Sequence, residues 1–309
     1  MNRRAEVTAH IAVLSNPHSG KGRGRAAADA AAAHLRASGA DVREYAGRSA
    51  AETRALAQQA LAARPLALVV VGGDGTLSGI LDIVAAGTVP IALVPAGTGN
   101  DFARALDLPR HSATDAADLA LHGRSRAVDV GEVTSAGRTS LFLTVAALGF
   151  DARVSDRTNR LRWPRGGARY YLALLIELAR LQPMTFTVTC DGSAPKIAPG
   201  TLVAVGNTAS YGGGMPVAAG ALPDDARLDI VHVAPLGRLR LLMLFPLLLK
   251  GRHLGRAEVM HRRVRRVTVS APELVVYADG ERVGEDECTI RVRPGALQIM
   301  VPADGKVFS

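Results

Sequence analysis

Residues 1 to 128 alternate short apolar runs with stretches of helical length. The run from Leu66 to Val71 is apolar at every position, which is typical of a strand covered on both faces. We predict strands at His10 to Leu14, Asp41 to Tyr45, Leu66 to Val71 and Val89 to Val94, helices at Arg23 to Ala37, Ala50 to Ala63 and Thr76 to Ala86, and a turn with a short helix at Gly97 to Leu106. Repeated β-α-β units predict an α/β domain with a doubly wound parallel sheet.

Residues 129 to 309 show a different pattern, in which strand-like runs follow one another with few long helices between them. The predicted strands are Arg126 to Val133, Leu141 to Leu148, Met184 to Cys190, Thr201 to Val205, Leu228 to Val233, Val264 to Ser270, Leu274 to Ala278, Thr289 to Val292 and Leu297 to Val301. Helices are predicted at Tyr170 to Leu181 and Leu239 to Lys250. This pattern predicts an all-β sandwich as a second domain, and it leaves open a return of the last strand to the first domain.

The composition is that of a soluble globular protein, with 48% apolar and 21% charged residues among 309. The most apolar run, from Leu241 to Leu249, is about half as long as the ~20 residues that a membrane-spanning helix needs. The first apolar run is too short for a signal peptide, and Cys190 and Cys288 form no metal-binding spacing. We therefore expect a cytoplasmic protein.

The net charge of +9 favours anionic partners, which include nucleic acids, anionic membranes and phosphorylated ligands. The basic clusters lack the interleaved aromatic residues that single-stranded nucleic acids favour, so we expect no nucleic-acid partner. The segment from Arg238 to Lys250 joins an apolar body to basic ends. It is therefore either an interfacial segment on anionic lipid or a buried core helix, and the sequence does not decide between them.

Three glycine-containing turns follow predicted strands of the first domain, at the edge where parallel strands end. They are Asn16-Pro17-His18-Ser19-Gly20-Lys21-Gly22, Gly72-Gly73-Asp74-Gly75-Thr76 and Pro95-Ala96-Gly97-Thr98-Gly99-Asn100-Asp101-Phe102-Ala103-Arg104. Glycines remove the Cβ atoms that would keep a phosphate away from the backbone, and helix N-termini attract anions. The turns therefore predict a phosphate site, at which Asp74 could orient Mg²⁺ through water.

Two acidic turns occur late in the chain. Asp279-Gly280-Glu281 has the spacing of a hairpin turn, and Asp224-Asp225 precedes a predicted strand. An Asp-Asp pair in that position is usually a turn, but it can also hold a divalent cation together with backbone carbonyls. Spacing by itself does not choose between these interpretations.

The motifs NPHSGKG, VVGGDGT, PAGTGNDFARAL and the late DGE, in this order, resemble those of the diacylglycerol kinase catalytic family, and especially its bacterial soluble lipid kinases. The resemblance covers nearly the whole chain. It implies an α/β nucleotide-binding domain at 1–128, a β-sandwich lipid-substrate domain at 129–309, and ATP and Mg²⁺ as cofactors.

The resemblance also implies roles for individual residues. Glu281 corresponds to the proton acceptor, supported by Asp279, and Lys21 and Arg104 correspond to basic positions near the phosphates or the lipid headgroup. The implied nucleotide contacts are Asn16, Pro17, His18, Ser19, Gly20, Gly72, Gly73, Asp74, Gly75, Thr76, Leu77, Ser78 and Thr98.

Two magnesium sites follow from the same resemblance. One lies at the nucleotide and involves Asp74, Asp101 and Asp129 through water. The other is a structural site, with backbone oxygens of Leu222 and Arg227 and the carboxylate of Asp225.

The sequence departs from the family pattern at three points. Ser78 stands where the family usually has Asn, and Ala226 stands where Gly usually follows Asp-Asp, which puts the structural metal site in question. The threonine with which the family contacts the nucleotide is not evident between Tyr45 and Gly47.

The expected reaction is direct phosphoryl transfer from ATP to a primary hydroxyl of a membrane lipid, converting diacylglycerol to phosphatidic acid, by a protein that is peripherally membrane-associated during turnover. Sphingoid, ceramide and phosphatidylglycerol kinases share the motifs and remain alternatives. A NAD kinase shares GGDGT, although no Asn-Glu pair follows it here. A non-catalytic nucleotide- or lipid-binding regulator is a further alternative, and the oligomeric state, including a homodimer, is open.

Overall fold

A computed structural model describes residues 9–16, 19–85, 87–161, 163–164 and 167–303. The chain divides into two compact units. The first comprises the described residues of Met1–Val128 and Gly295–Ser309, and the second comprises those of Asp129–Pro294.

The first unit contains a parallel sheet in the order β2-β1-β3-β4. Its strands are β1 (Ile11–Ser15), β2 (Val42–Ala46), β3 (Ala67–Gly72) and β4 (Ile91–Pro95). The end of β14 (Glu281–Val301) runs parallel to β4, with Ile299 opposite Ile91. Strand β2 lies on one side of β1 and β3 on the other, so the direction of winding reverses at β1, and such a reversal leaves a crevice at the carboxyl ends of the strands.

The helices of this unit are α1 (Arg23–Ala37), α2 (Ala50–Ala62), α3 (Asp74–Ser78), α4 (Leu81–Val84), α5 (Asp101–Ala105) and α6 (Ala113–His122). Helix α2 begins at an N-cap, Ser49: its hydroxyl accepts the Glu52 N–H at 3.2 Å, and the Glu52 carboxylate reaches back to accept the Arg48 N–H at 2.8 Å. The single helix predicted from Thr76 is two short helices instead. The Gly79 carbonyl, at the break, accepts a hydrogen bond from Arg54 at 3.2 Å.

The second unit is built mainly of antiparallel strands. They are β5 (Arg124–Ser135), which begins in the first unit, β6 (Arg138–Phe142), β7 (Val145–Gly149), β8 (Met184–Cys190), β9 (Lys196–Gly200), β10 (Leu202–Gly206), β11 (Leu228–Val233), β12 (Val259–Val264), β13 (Arg266–Ala278) and most of β14. The first part of β13 pairs with β8, and its last residues pair with β7 in the order β12-β11-β10-β7-β13. The register shifts between Ser270 and Val275, between the part of β13 that pairs with β8 and the part that pairs with β7. Both parts contribute side chains to one hydrophobic core.

Three helices accompany these strands: α7 (Phe150–Arg160), α8 (Gly167–Ala179) and α9 (Arg238–Leu249). Within α9, all of which the structure describes, only Leu244 is buried. Leu239 is 71% exposed, Leu242 52% and Met243 53%. The interpretation of this segment as a buried core helix is therefore wrong. Among the helices that the structure describes, none combines the length and apolar character needed to cross a bilayer.

Candidate functional site

The turns after β3 and β4 touch through two glycines. A Cβ atom on Gly97 would lie 2.5 Å from the Cα of Gly73, and one on Gly73 would lie 2.9 Å from the Cα of Gly97. No side chain fits at either position unless the two backbones separate. Glycine in both motifs therefore lets the two strand ends approach each other closely.

The turn after β1 joins the same cluster. Gly20 has φ of +57°, and a Cβ there would lie 1.8 Å from the Ala96 carbonyl oxygen, so this position requires glycine on both counts. Arg23, the first residue of α1, donates to the carbonyls of Gly20 and Gly97, each at 3.1 Å. Sequence reasoning missed Arg23, and the only available signal was its place directly after the first motif.

Asp74 links the second motif to the third. Its carboxylate accepts the N–H groups of Asp101 at 3.1 Å and Phe102 at 3.2 Å, at the start of α5. The Asp101 carboxylate is buried and accepts a hydrogen bond from Arg104 at 2.7 Å. Arg104 also donates to the Gly99 carbonyl at 3.2 Å. The structure thus places Asp74, Asp101 and Arg104 in one hydrogen-bonded chain.

A cavity of about 270 Å³ opens beside these turns. Its lining residues are Asn16, Ser19, Gly20, Ala50, Thr53, Gly73, Gly75, Thr76, Gly79 and Ile80. The hydroxyls of Ser19 and Thr53 are buried, and neither has a hydrogen-bond partner among the described residues. Because an unpaired buried hydroxyl is costly, these two groups point to a polar ligand in the cavity.

Thr53 lies outside every motif and was not predicted. It belongs to α2, and a Cβ on Gly47 would lie 2.4 Å from its hydroxyl oxygen. The side chain therefore approaches the end of β2 from the following helix. This is the region in which sequence comparison with the family showed no threonine.

A second cavity, of about 530 Å³, lies at the turn after β4. Thr98 and its neighbours line one part of it, and the side chains of Arg23, Arg104, Arg110 and His111 contribute as well. Three guanidinium groups around one concave surface favour an anion.

Several residues predicted to contact the nucleotide have other roles in the structure, and others lie outside the described residues. The Leu77 side chain is packed in the core at 1% exposure. A Cβ on Gly72 would collide with the Thr76 side chain, so glycine at position 72 makes room for Thr76. Ser78 is half-buried in α3. Pro17, His18 and the side chain of Lys21 lie outside the described residues.

In the second unit, Asp279 fixes the turn that carries Glu281. Its carboxylate accepts three hydrogen bonds, from the Leu143 N–H at 2.7 Å, the Thr144 N–H at 2.9 Å and the Thr144 hydroxyl at 2.6 Å. Asp279 and Gly280 have φ values of +48° and +85°, as expected for a two-residue hairpin between β13 and β14. Glu281, the next residue, is exposed. The backbone at Glu281 is thereby held while its side chain faces solvent.

Asp129 is also in the second unit, where it is buried and holds the loop before β11. Its carboxylate accepts the Ala226 N–H at 2.7 Å, and its own N–H donates to the Pro223 carbonyl at 2.6 Å. In the same loop, the Asp225 carboxylate accepts the Arg227 N–H at 2.9 Å and forms an ion pair with Arg263.

Within the part of the chain that the structure describes, no group of three or more His, Cys, Asp or Glu side chains is arranged to hold a metal ion. A cation at Asp74 would therefore need phosphate oxygens or water to complete its shell. At Asp225 one carboxylate oxygen accepts the Arg227 N–H, and the other is buried without a hydrogen bond and lies against the Arg263 guanidinium, so a structural metal there would meet a positive charge already in place.

The second unit contains an apolar crevice between α7, α8 and α9. Its lining is largely aliphatic and aromatic, and includes Val154, Leu174, Leu178, Leu241, Phe245 and Leu248. One buried polar pair lies in it: the Tyr211 hydroxyl donates to the carboxylate of Asp151. Burial raises the pKa of Asp151 to about 6, although the hydrogen bond from Tyr211 acts in the opposite direction.

Comparison with known proteins agrees with this fold. Residues 10–133 match the diacylglycerol kinase catalytic domain, and residues 144–301 match the YegS C-terminal NAD kinase beta sandwich-like domain. The chain therefore belongs to the diacylglycerol kinase catalytic family, and by class it is a lipid kinase.

Individual relatives cover nearly the whole chain. A protein named diacylglycerol kinase from Mycobacterium tuberculosis (strain ATCC 25618 / H37Rv) is 41% identical over 304 residues, which cover 98% of each chain. A protein of Pseudomonas fluorescens (strain Pf-5) named "Probable lipid kinase YegS-like" is 35% identical over 280 residues, 88% of this chain and 90% of that one. A diacylglycerol kinase structure from Bacillus anthracis str. Sterne superposes with a TM-score of 0.72 at 21% identity, over 96% of this chain and 98% of that one, and shows the shared fold.

Proposed function

We propose that the chain transfers the γ-phosphoryl group of ATP to a primary hydroxyl of a membrane lipid, with diacylglycerol as the first substrate to test. The observation that carries the ATP assignment is the cavity of the first unit, which is lined by glycine turns and by Ser19 and Thr53, two residues whose buried hydroxyls are unpaired among the described residues. The 41% identical relative named diacylglycerol kinase supports the choice of lipid.

In this proposal, the turns of the first unit bind the nucleotide. The glycine positions allow phosphate oxygens to reach backbone N–H groups, which stabilise negative charge on the transferring group. Ser19 and Thr53 would donate to the ligand. Arg104, in the second cavity of this unit, supplies positive charge for a phosphate or an anionic headgroup.

Mg²⁺ is proposed at Asp74, with Asp101 acting through water. The Asp74 carboxylate accepts two N–H groups from the start of α5, and this places a carboxylate, the ligand type that Mg²⁺ prefers, beside the glycine turns. A bound Mg²⁺ would neutralise charge on the phosphates. Asp129, which we also expected at this ion, has its carboxylate bonded to the Ala226 N–H.

Glu281 is the proposed proton acceptor. Its exposed carboxylate follows a turn that is held by three hydrogen bonds to Asp279, so the backbone that carries it is held by the fold. A positioned general base accelerates such reactions by ~10²–10⁴. Asp279 then acts as a positioning residue, because its own oxygens are engaged by Leu143 and Thr144.

The lipid is proposed to meet the second unit at α8 and α9. Tyr171 and Leu175 of α8 are exposed one turn apart, and α9 exposes Leu239, Leu242 and Met243. Lys250 and the neighbouring arginines add positive charge to the same segment, which favours an anionic bilayer. The protein would thus associate peripherally with the membrane during turnover.

The test is a phosphoryl-transfer assay with the full chain, ATP and Mg²⁺ on mixed micelles of diacylglycerol, phosphatidylglycerol, sphingoid bases, ceramide or undecaprenol. The Glu281→Gln variant is the control for contaminating kinases. Labelled phosphatidic acid that is absent with the variant supports the proposal. Transfer to NAD with no transfer to any lipid would overturn it in favour of a NAD kinase, and ATP binding with no transfer at all would favour a regulator.

A further inference from the structure

The loop between Leu222 and Arg227 carries a carboxylate, Asp225, that a guanidinium already neutralises. Arg263 of β12 forms an ion pair with one Asp225 oxygen, and the other oxygen accepts the Arg227 N–H at 2.9 Å. The Asp225 side chain is 17% exposed and the Arg263 side chain 45%, so the carboxylate is the more buried partner of this ion pair.

We propose that Arg263 is a built-in cation for this loop, which therefore closes without the divalent ion implied by the family resemblance. A divalent cation at Asp225 would have to sit beside the guanidinium charge of Arg263, and such like charges repel where water is partly excluded. Arginine does not dissociate and keeps its charge at all ordinary pH values, so the loop stays closed in the absence of metal.

Strand β12 is well placed to supply this cation. It pairs antiparallel with β11, which begins directly after the loop, and Arg263 lies opposite Asp229. His261, two residues earlier and therefore on the same face, contacts the Asp229 carboxylate at 2.6 Å. One face of β12 thus provides basic partners to two acids, Asp225 and Asp229.

The remainder of the loop is held by peptide hydrogen bonds. Asp129 bonds to Ala226 through its carboxylate and to Pro223 through its N–H. Ala226 has φ of +58°, a left-handed conformation that glycine adopts at lower cost. These contacts together with the Arg263 ion pair account for the loop conformation with no metal ligand among them.

The first experiment needs no variant. The thermal midpoint of the wild-type chain, without nucleotide, is measured in EDTA and in millimolar MgCl₂. We expect the two midpoints to agree within about 1 °C, since Arg263 already supplies the charge. A Mg²⁺-dependent rise in the wild-type midpoint that disappears in Asp225→Asn would overturn the proposal.

The second experiment removes the guanidinium. Arg263→Met should lower the midpoint in EDTA by about 2–4 °C, the scale expected for one half-buried ion pair. MgCl₂ should recover part of that loss, and the recovery should vanish when Asp225→Asn is added. Arg262→Met, the exposed neighbour on the opposite face of β12, is the matched control and should gain no Mg²⁺ response. An Arg263→Met midpoint equal to wild type, with no Mg²⁺ response, would show that the ion pair does not close the loop.

Discussion

Thr144 holds the carboxylate of Asp279 through two hydrogen bonds, from its N–H at 2.9 Å and from its hydroxyl at 2.6 Å. A third hydrogen bond comes from the Leu143 N–H at 2.7 Å. The two acids of the DGE motif therefore differ in environment, since Asp279 is engaged within the fold and Glu281 is exposed. Their substitutions should affect different properties.

Asp279→Ala should reduce the free energy of unfolding by about 2–4 kcal/mol, because three partners lose an ionised acceptor and the contributions are not additive.

Glu281→Gln should leave the free energy of unfolding within about 0.5 kcal/mol of wild type, because the residue is exposed, while kcat falls by ~10²–10⁴. Urea denaturation and the lipid phosphorylation assay measure the two effects. Wild-type turnover in Glu281→Gln would remove the proposed base.

The sequence predicted the strands and turns of the first unit because each signal there is local. Buried parallel strands are continuously apolar, as in β3, and glycine motifs mark where they end. Helix α7 was missed because its sequence, FDARVSDRTNR, is strongly charged and lacks an extended apolar stripe. Strands β13 and β14 were each read as two runs, since polar or irregular segments interrupt their apolar pattern.

The candidate site was predictable only where it coincides with a motif. Gly73 and Gly97 stand in motifs, but their backbone contact depends on the pairing of β3 with β4, which no local pattern specifies. Thr53 and Arg23 reach the site from helices outside the motif glycines. Long-range contacts of this kind follow from the fold and not from spacing along the chain.

Thr53→Val tests the nucleotide cavity, because stability and affinity should change in opposite directions. Thr53→Val removes a buried, unpaired hydroxyl. In the absence of ligand, its free energy of unfolding should therefore equal that of wild type or exceed it by about 1 kcal/mol. If the hydroxyl bonds to ATP, the Kd for ATP should rise about 3- to 10-fold. Calorimetric titration and thermal melts give both numbers.

Thr53→Ser keeps the hydroxyl and is the control, so its Kd should stay close to that of wild type. An unchanged Kd in Thr53→Val would mean that the nucleotide does not use this group. Ser19→Ala repeats the test on the other unpaired hydroxyl of the same cavity.

The exposed apolar residues of α9 should decide membrane binding. The double change Leu242→Ser and Met243→Ser should weaken partitioning onto vesicles of phosphatidylglycerol and phosphatidylcholine by about 10-fold or more, since each residue buries apolar area on the bilayer. Flotation of the full chain with such vesicles measures the partition coefficient, and added salt should weaken wild-type binding.

Ile197→Ser is the matched control, because Ile197 is 74% exposed on β9 and stands outside α8 and α9. It should partition like wild type. Equal binding by the α9 double variant, with an unchanged thermal midpoint, would show that this helix is not the membrane contact.

The buried acid of the apolar crevice predicts a pH dependence of stability. Asp151 has its pKa raised to about 6 by burial, whereas an aspartate in an unfolded chain titrates near ~3.9. The folded state therefore keeps a proton that the unfolded state has lost between these values. The contribution of Asp151 to stability is full below about pH 4 and is lost as the pH rises through about 6, amounting to about 3 kcal/mol.

Asp151→Asn mimics the protonated acid and still accepts the hydrogen bond from Tyr211. Its free energy of unfolding relative to wild type should rise between about pH 4 and pH 6 and then level off near pH 7. Urea denaturation of both proteins across this range measures the difference between their free energies of unfolding. The contributions of the other titrating groups cancel in that difference. A difference that is constant with pH would mean that Asp151 ionises as readily in the folded chain as in the unfolded one, and that the crevice is wet at its polar pair.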